Sequence, residues 1–320
     1  MFGTSLGCHS ASYLYNDTHT LTLDAAMHPE RFDHGVDFRG DAVGTVTITS
    51  TSADSSNVRY EITLRSNDKD LLQKSIIRMP ALDDYGHLFE SMAVLTSPRI
   101  PKSHPNTCFR YDVKILVPPS LKSLHLASHT RTHVKFDEKA KINMEGLFVT
   151  LFTNDKNNII QSSRSIKANT LNLQTTRGWL VGDIAIVDET NLSTQRGDAI
   201  LHVHVHPEPP RDKSNPELAA FDTTTGAGKT NVVIHSNEGM KRPIDATHIS
   251  SRNGPMKLTY KNSGFDGLLR VQAKELEAVG MEKLDSSNVQ KGEKWNYFVR
   301  DKDGKDRIRV NSRGRVGLYF

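Results

Sequence analysis

Three histidines at alternate positions, His202, His204 and His206, form the strongest candidate for chemistry in this sequence. In a β-strand their imidazoles would all point to one face of the sheet, with ~6.5–7 Å between neighbours. Neutral imidazole nitrogens bind zinc and other divalent ions, and a further ligand would come from His235 or Asp198. The residues between the histidines are apolar, however, which favours a half-buried strand with a solvated histidine face. We therefore expect no metal and no cofactor, and keep metal binding by these three histidines as the alternative.

A second candidate, residues 222–230, ends in Gly-Lys-Thr as phosphate-binding loops do. The leading glycine of that motif would fall at Thr223, and residues 231–235 have the pattern of a strand where the motif requires a helix. This segment is therefore predicted to be a turn between two strands. Neither a nucleophile elbow nor a cysteine–histidine pair is visible elsewhere, so the sequence predicts no catalytic residues and no enzyme.

Basic residues recur in four turn-like segments, each of which ends in glycine and precedes an apolar-alternating stretch. The arginines are Arg177, Arg196, Arg252 and Arg313, and the glycines are Gly178, Gly197, Gly254 and Gly314. If these turns stack, the arginines, together with Arg315, would line one edge and form a basic stripe suited to anionic polysaccharide or phospholipid headgroups. Solvated turn arginines without a ligand are the alternative.

The spacing of these glycines indicates a stacked repeat. Gly178 and Gly197 are 19 residues apart, and the next two gaps, 57 and 60, are close to three times that. A recurring glycine indicates a recurring backbone position with positive φ, and a period near 20 is typical of units that must stack to bury a core. We predict an all-β, β-solenoid- or β-helix-like stack of short strands, with an antiparallel β-sandwich as the alternative.

Strict apolar–polar alternation at residues 58–65 and 111–117 predicts half-buried strands in the N-terminal part as well. We expect a poorly ordered tail over residues 1–34, a sandwich-like β region with a loop-rich excursion over 35–110, and a repetitive domain over 111–320. Residues 272–279 contain good helix formers inside this β context, and the sequence leaves helix or strand open there.

Composition limits the possible partners. The 320 residues include 41 Lys and Arg against 37 Asp and Glu, a net charge of +4, which is too small to indicate nucleic acid binding. Hydrophobic residues make up only 36% of the chain, which fits the narrow core of a stack. No run of residues approaches a membrane span, and the first 16 residues show no secretory signal.

Two cysteines, Cys8 and Cys108, are too few for a disulfide framework or a thiolate zinc cluster. Two free thiols are the expected state. A single bridge between them stays open, because loop length scarcely limits closure.

The segments 171–201 and 308–320 resemble the "putative adhesin" domains of bacteria and fungi, which repeat a strand, a Thr/Ser-x-x-Gly turn and an x-Gly-x-apolar-x-apolar strand. The resemblance covers about residues 111–320. It implies a β-solenoid-like fold, no known catalysis and a surface or envelope role. Fungal relatives often carry a membrane segment ahead of the domain, which is not seen in this sequence.

These observations together favour a non-enzymatic β-repeat interaction protein of unknown ligand. A surface polysaccharide or a protein is the expected partner, and no nucleic acid. Localisation stays open; an anchor upstream of Met1 would place the protein at the cell surface. A metal-dependent enzyme using the three histidines and an intracellular structural scaffold are the alternatives.

Overall fold

The computed structural model describes residues 6–8, 10–28, 30–52, 55–85, 87–88, 92–103, 106–236, 242–284 and 294–320. Within them, helix is confined to the single turn α1 (Lys69–Leu72) and a 3₁₀ turn at Tyr15–Asp17. No helix in this part of the chain has the length and apolar character needed to cross a membrane. The chain divides into two compact units, Met1–Ile166 with Thr175–Gly178, and Lys167–Gln174 with Trp179–Phe320.

The first unit contains twelve described strands, and the longer ones alternate buried apolar with less buried polar residues. They are β1 (Tyr13–Leu14), β2 (Leu21–Ala25), β3 (Asp33–Arg39), β4 (Val43–Ser50), β5 (Val58–Ser66), β6 (Ile76–Arg78), β7 (Ala93–Thr96), β8 (Phe109–Val117), β9 (Ser123–Ser128), β10 (Thr132–Phe136), β11 (Ile142–Leu151) and β12 (Ile159–Ser162).

Two sheets make up this unit. One has the order β1–β5–β8–β4–β10–β12, with β2 also paired to β5, and the other has the order β6–β7–β3–β9–β11. The pairs β1–β5, β2–β5, β5–β8 and β6–β7 are antiparallel, whereas the strands from β8 to β12 and from β7 to β11 pair in parallel. Antiparallel pairs therefore close one end of a parallel stack. The sequence-based boundary near residue 110 lies inside this unit, and β1, β2 and the start of β3 lie in the segment expected to be a tail.

The second unit contains fourteen described strands. They are β13 (Ile166–Thr175), β14 (Trp179–Ile186), β15 (Glu189–Thr194), β16 (Ile200–Pro207), β17 (Ala219–Thr225), β18 (Thr230–His235), β19 (Ile244–Ser250), β20 (Met256–Asn262), β21 (Gly267–Gln272), β22 (Glu275–Val279), β23 (Glu282–Lys283), β24 (Tyr297–Val299), β25 (Asp306–Ser312) and β26 (Arg315–Tyr319).

Successive strands from β13 to β22 alternate between two sheets, with the orders β14–β16–β18–β20–β26–β22 and β13–β15–β17–β19–β25–β21–β24–β23. Strands adjacent in a sheet are parallel from β14 to β22 and from β15 to β21, so each layer of the stack is one strand from each sheet. The predicted all-β stack of short strands is confirmed. The C-terminal pair β25 and β26 is inserted between the layer of β19 and β20 and the layer of β21 and β22.

A buried arginine ties together the turns at one edge of the second unit. The Arg242 side chain is only 3% exposed, and Asp188 lies 3.7 Å from its guanidinium. The guanidinium donates hydrogen bonds to four backbone carbonyls at turns of the neighbouring layers, those of Val187, Glu208, Glu217 and Leu218. One buried side chain thus binds the backbone of several turns, and this stabilises the stacking of turns at that edge.

In each unit a buried histidine–tyrosine hydrogen bond connects the two sheets across the core. His34 on β3 lies 2.5 Å from the Tyr60 hydroxyl on β5, and His248 on β19 lies 2.7 Å from the Tyr260 hydroxyl on β20. The second ring nitrogen of His248 is 2.8 Å from the Thr223 hydroxyl. Burial lowers the pKa of His34 to about 4 and that of His248 to about 3. Both rings are therefore neutral near pH 7, and a neutral ring offers one donor and one acceptor to its partners.

Cys8 and Cys108 form a disulfide, with 5.5 Å between their Cα atoms. The expectation of two free thiols is wrong. The fold brings the cysteines together because Cys108 directly precedes β8 and is held by Ser66 and Asn67 at the end of the neighbouring β5. Their separation of 100 residues along the chain carries no signal of this contact.

We predict that reduction of the disulfide lowers the free energy of unfolding by several kcal/mol. The chain-entropy estimate for a loop of 100 residues is about 4.7 kcal/mol, and measured losses are typically about 2–5 kcal/mol. Urea unfolding with and without dithiothreitol measures the loss. The double variant C8S/C108S is the control and should be insensitive to the reductant; equal stability of the oxidised and reduced wild type would contradict the prediction.

We further predict that His248 makes folding sensitive to acid. Between the unfolded pKa near 6.5 and the folded pKa of about 3, the unfolded chain binds a proton that the folded chain does not. Stability therefore falls as the pH drops, by ~1.4 kcal/mol per pH unit for this histidine. Urea unfolding of the variant H248N at about pH 7 and pH 5 should show a smaller loss than the wild type. The control is H19N, at an exposed position, which should lose as much unfolding free energy as the wild type does. An unchanged pH dependence of stability in H248N would refute the role of His248.

Candidate functional site

The turns at the other edge of the second unit stack directly on one another, because paired strands fix their positions on both sides. Between the first two turns, Ser193 pairs with Thr224 before the turn and Leu201 with Thr230 after it. Strand pairs before and after the turn are found in the same way for five successive turns. These turns connect β15–β16, β17–β18, β19–β20, β25–β26 and β21–β22. The backbone of each turn therefore lies over the backbone of the turn below.

Glycines allow the close approach between these turns. A Cβ atom at Gly228 would lie 1.5 Å from the carbonyl oxygen of Ala199 in the next layer, and one at Gly254 would lie 2.4 Å from the Gly228 oxygen. A Cβ at Gly314 would lie 2.8 Å from the Gly254 oxygen. Gly178 and Gly197 have positive φ angles of 128° and 64°, whereas Gly254 and Gly314 do not. The prediction of one recurring positive φ is thus wrong for the latter two, where contact with the neighbouring layer excludes a side chain.

Each of the five stacked turns carries one exposed cation. We call this set the basic edge: it consists, in layer order, of Arg196, Lys229, Arg252, Arg313 and Lys274. Within the part of the chain that the structure describes, none of the five side chains makes an ion pair or a hydrogen bond. Sequence reasoning identified the three arginines but missed the two lysines, since neither lies in the Arg-Gly pattern.

The two remaining arginines of the predicted stripe lie elsewhere. Arg177 belongs to the first unit, at a turn where its carbonyl accepts hydrogen bonds from Asn158 and Thr175. Arg315 begins β26 and forms an ion pair with Glu277 on β22, 2.5 Å away. The basic edge therefore begins at Arg196, without Arg177, and has one cation in each of its five layers.

A shallow groove of about 380 Å³ adjoins the basic edge on the outer face of the neighbouring sheet. It is lined in part by Lys229, Lys257 and Arg315. The Lys257 ammonium lies 5.5 Å from the centre of the Tyr319 ring, and the Tyr319 hydroxyl donates a hydrogen bond to Glu277. The ring face is thus already occupied by a cation, and because Glu277 also lines the groove and pairs with Arg315, the groove adds Lys257 to the positive surface beside the turns.

The structure places residues 222–230 at one of these turns. β17 ends at Thr225 and β18 begins at Thr230, so the Gly-Lys-Thr sequence leads into a strand. The turn predicted between two strands is confirmed. Lys229 consequently belongs to the basic edge and to no helix N-terminus of the nucleotide-binding kind.

His202, His204 and His206 lie on the outward face of β16, next to His235 on β18. The His204 and His235 rings are 3.0 Å apart between Nδ1 and Nε2, and the His206 and His235 rings stack with centres 4.6 Å apart. Further along, His206 Nε2 lies 3.1 Å from Asp183 Oδ1. One ring nitrogen each of His204, His235 and His206 is therefore engaged in a hydrogen bond.

Asp198, named as a further ligand, lies at the first turn of the basic edge, outside this row of rings. Across the described ranges, no group of three or more His, Cys, Asp or Glu residues is arranged to hold a metal ion. The histidine row is thus a stacked, mutually hydrogen-bonded surface in this structure.

No family model matches this chain, and no curated protein matches it. Similar solved structures include a putative cell adhesion protein from Clostridium sporogenes, at 10% identity and a TM-score of 0.25, covering 94% of this chain and 99% of that one. A putative adhesin from Parabacteroides distasonis matches at 8% identity and a TM-score of 0.35, covering 93% and 95%. A putative adhesin from Parabacteroides merdae matches at 11% identity and a TM-score of 0.33, covering 94% of this chain and 95% of that one. These values are too low to assign a function, and the family resemblance of residues 111–320 stays a prediction.

Proposed function

We propose that this chain is a non-enzymatic, adhesin-like binding module whose basic edge binds a linear anionic polysaccharide of a cell surface. The observation that carries the proposal is the stacking of five turns, each with one exposed cation that has no partner in the described chain.

The geometry of a stack suits a repeating ligand. Neighbouring strands lie ~4.8 Å apart, so the five layers place their cations along a line of ~19 Å. One exposed ion pair contributes less than about 1 kcal/mol, so a single anion would bind weakly. A polymer that offers several anions in a row engages the cations together, and each contact raises the effective concentration of the next.

The residues around the cations favour polysaccharide over other polyanions. Besides their cations, the five turns contain one anion, Asp198, together with Gln195, Pro255 and otherwise only Gly, Ala, Ser and Asn, and no aromatic or large apolar side chain. Membrane-surface binding uses apolar anchors beside its cations, and single-stranded nucleic acid uses aromatic stacking platforms. Neither accompanies the cations of this edge, which leaves charge along a line as the recognition element.

We predict that the triple variant R196Q/R252Q/R313Q binds dextran sulfate at least about tenfold more weakly than the wild type, because each lost contact is worth about 0.5 kcal/mol. Calorimetry at low salt measures the affinity. Wild-type binding should also weaken steeply with added salt, since exposed charges are screened. The three arginines have no partner in the described chain, so the fold should be unaffected, as thermal unfolding will check.

The matched control is K213Q/K302Q/K305Q, which removes the same charge from exposed lysines at the opposite turns of the same unit. It should retain wild-type binding. An equal loss of affinity in both triple variants would mean that binding depends only on net charge, which would contradict the proposal. Binding to phosphatidylserine vesicles without binding to dextran sulfate would also overturn it, and no binding to either would favour the scaffold alternative.

A further inference from the structure

Two segments of the chain have the Asn-x-Ser/Thr sequence of an N-linked glycosylation site. The first is Asn16-Asp17-Thr18, and the second is Asn191-Leu192-Ser193. Such short triplets also occur by chance, so a site needs support from the structure. The two differ in where the asparagine lies and in what its side-chain amide contacts.

Asn16 lies in the exposed turn that connects β1 and β2 in the first unit. Residues 16–20 are all exposed, and Asn16 has a φ of 51°, a left-handed conformation that asparagine tolerates. The Thr18 N–H donates to the Tyr15 carbonyl at 3.1 Å, and the Thr18 hydroxyl donates to the Asn16 carbonyl at 3.0 Å. The Asn16 side-chain amide makes no hydrogen bond to any residue that the structure describes. The amide and the hydroxyl of the first triplet are therefore both accessible at the surface.

The position of this turn in the sheet leaves room for a sugar chain. Among the described strands, β1 and β2 pair only with β5, so they lie at the end of their sheet. A sugar on Asn16 would therefore meet no neighbouring strand on that side. It would also cover part of a free strand edge, where strands of other chains could otherwise pair.

Asn191 of the second triplet lies in a different environment. It is half-buried within β15, where it pairs with Asp222 on β17, and its side-chain amide donates a hydrogen bond of 2.7 Å to Glu189. The following Leu192 is only 1% exposed. The second triplet is thus part of the sheet, and its amide nitrogen is already hydrogen-bonded.

The Cys8–Cys108 disulfide is a second, independent observation. Disulfides form and persist in oxidising environments such as the lumen of the endoplasmic reticulum, whereas the cytosol keeps thiols reduced. Glycosylated Asn-x-Ser/Thr triplets are found in surface loops of secreted proteins, which pass through the same oxidising route. The disulfide and the exposed triplet therefore point to the same compartment.

We propose that Asn16, and not Asn191, carries an N-linked glycan. The sugar donor is a lipid-diphosphate oligosaccharide. Asn16 Nδ2 forms a bond to C1 of the first sugar, while the bond between C1 and the diphosphate oxygen breaks. The diphosphate leaves with the electron pair of that bond and takes up the proton that the amide loses. The modification uses no residue of the basic edge, so it is independent of the proposed function.

Mass spectrometry of peptides from the natural protein, isolated from the cells that produce it, tests the proposal directly. The peptide that contains Asn16 should carry a glycan mass that peptide N-glycosidase removes, and the peptide that contains Asn191 should not. An unmodified Asn16, or a glycan on Asn191 alone, would overturn the proposal.

Variants of the full chain, expressed behind a cleavable secretory leader in insect cells, identify the acceptor. Peptide N-glycosidase should increase the gel mobility of the wild type by the mass of one glycan. N16Q and T18V should lose this shift completely, because they remove the amide acceptor and the hydroxyl of the triplet. T18S, which keeps the hydroxyl, and the matched control N191Q should retain it. Asn16 and Thr18 are exposed, so both loss variants should unfold at the temperature of the deglycosylated wild type. A shift that persists in N16Q, or is absent from the wild type, would overturn the proposal.

Discussion

The parallel hydrogen-bond register between successive strands is the constraint on which the second unit depends. Thr225 pairs with Ser250 before a turn, and Thr230 pairs with Met256 after it, so the intervening turns have no freedom to shift relative to one another. Close backbone approach follows, which only glycine tolerates at Gly228. The same register aligns one cation per layer and makes a line of charge out of residues that are scattered in the sequence.

Burial of polar groups gives a second view of the same architecture. Arg242 provides donors to turn carbonyls, and His248 and Tyr260 satisfy one another across the core. Arg242 and the His248–Tyr260 pair thus have structural roles, although buried ionisable groups are also frequent at functional sites. Asp37 differs, because its Oδ2 accepts a hydrogen bond from Arg39, whereas its buried Oδ1 has no hydrogen-bond partner among the described residues.

Local patterns in the sequence predicted much of this fold. Period-two alternation gave the strands around residues 58–65 and 111–117 and the shared face of His202, His204 and His206. Helix formers at residues 272–279 left the state open there, and Glu275–Val279 is the strand β22. Neighbouring strand β26 supplies its backbone hydrogen bonds, and this tertiary partner outweighs a weak intrinsic helix preference.

The sequence by itself determined which residues face the core and where turns interrupt the strands, because both depend on residues adjacent in the chain. Only the tertiary structure decided which strands are neighbours. The C-terminal strands β25 and β26 are inserted inside the stack, so that β22, exposed at all five positions, lies at the end of its sheet. The Cys8–Cys108 bond and the two lysines of the basic edge also depend on which strands are neighbours. Apolar–polar alternation in the sequence indicates that a strand has a buried face, but it does not indicate which neighbouring strand completes its hydrogen bonds.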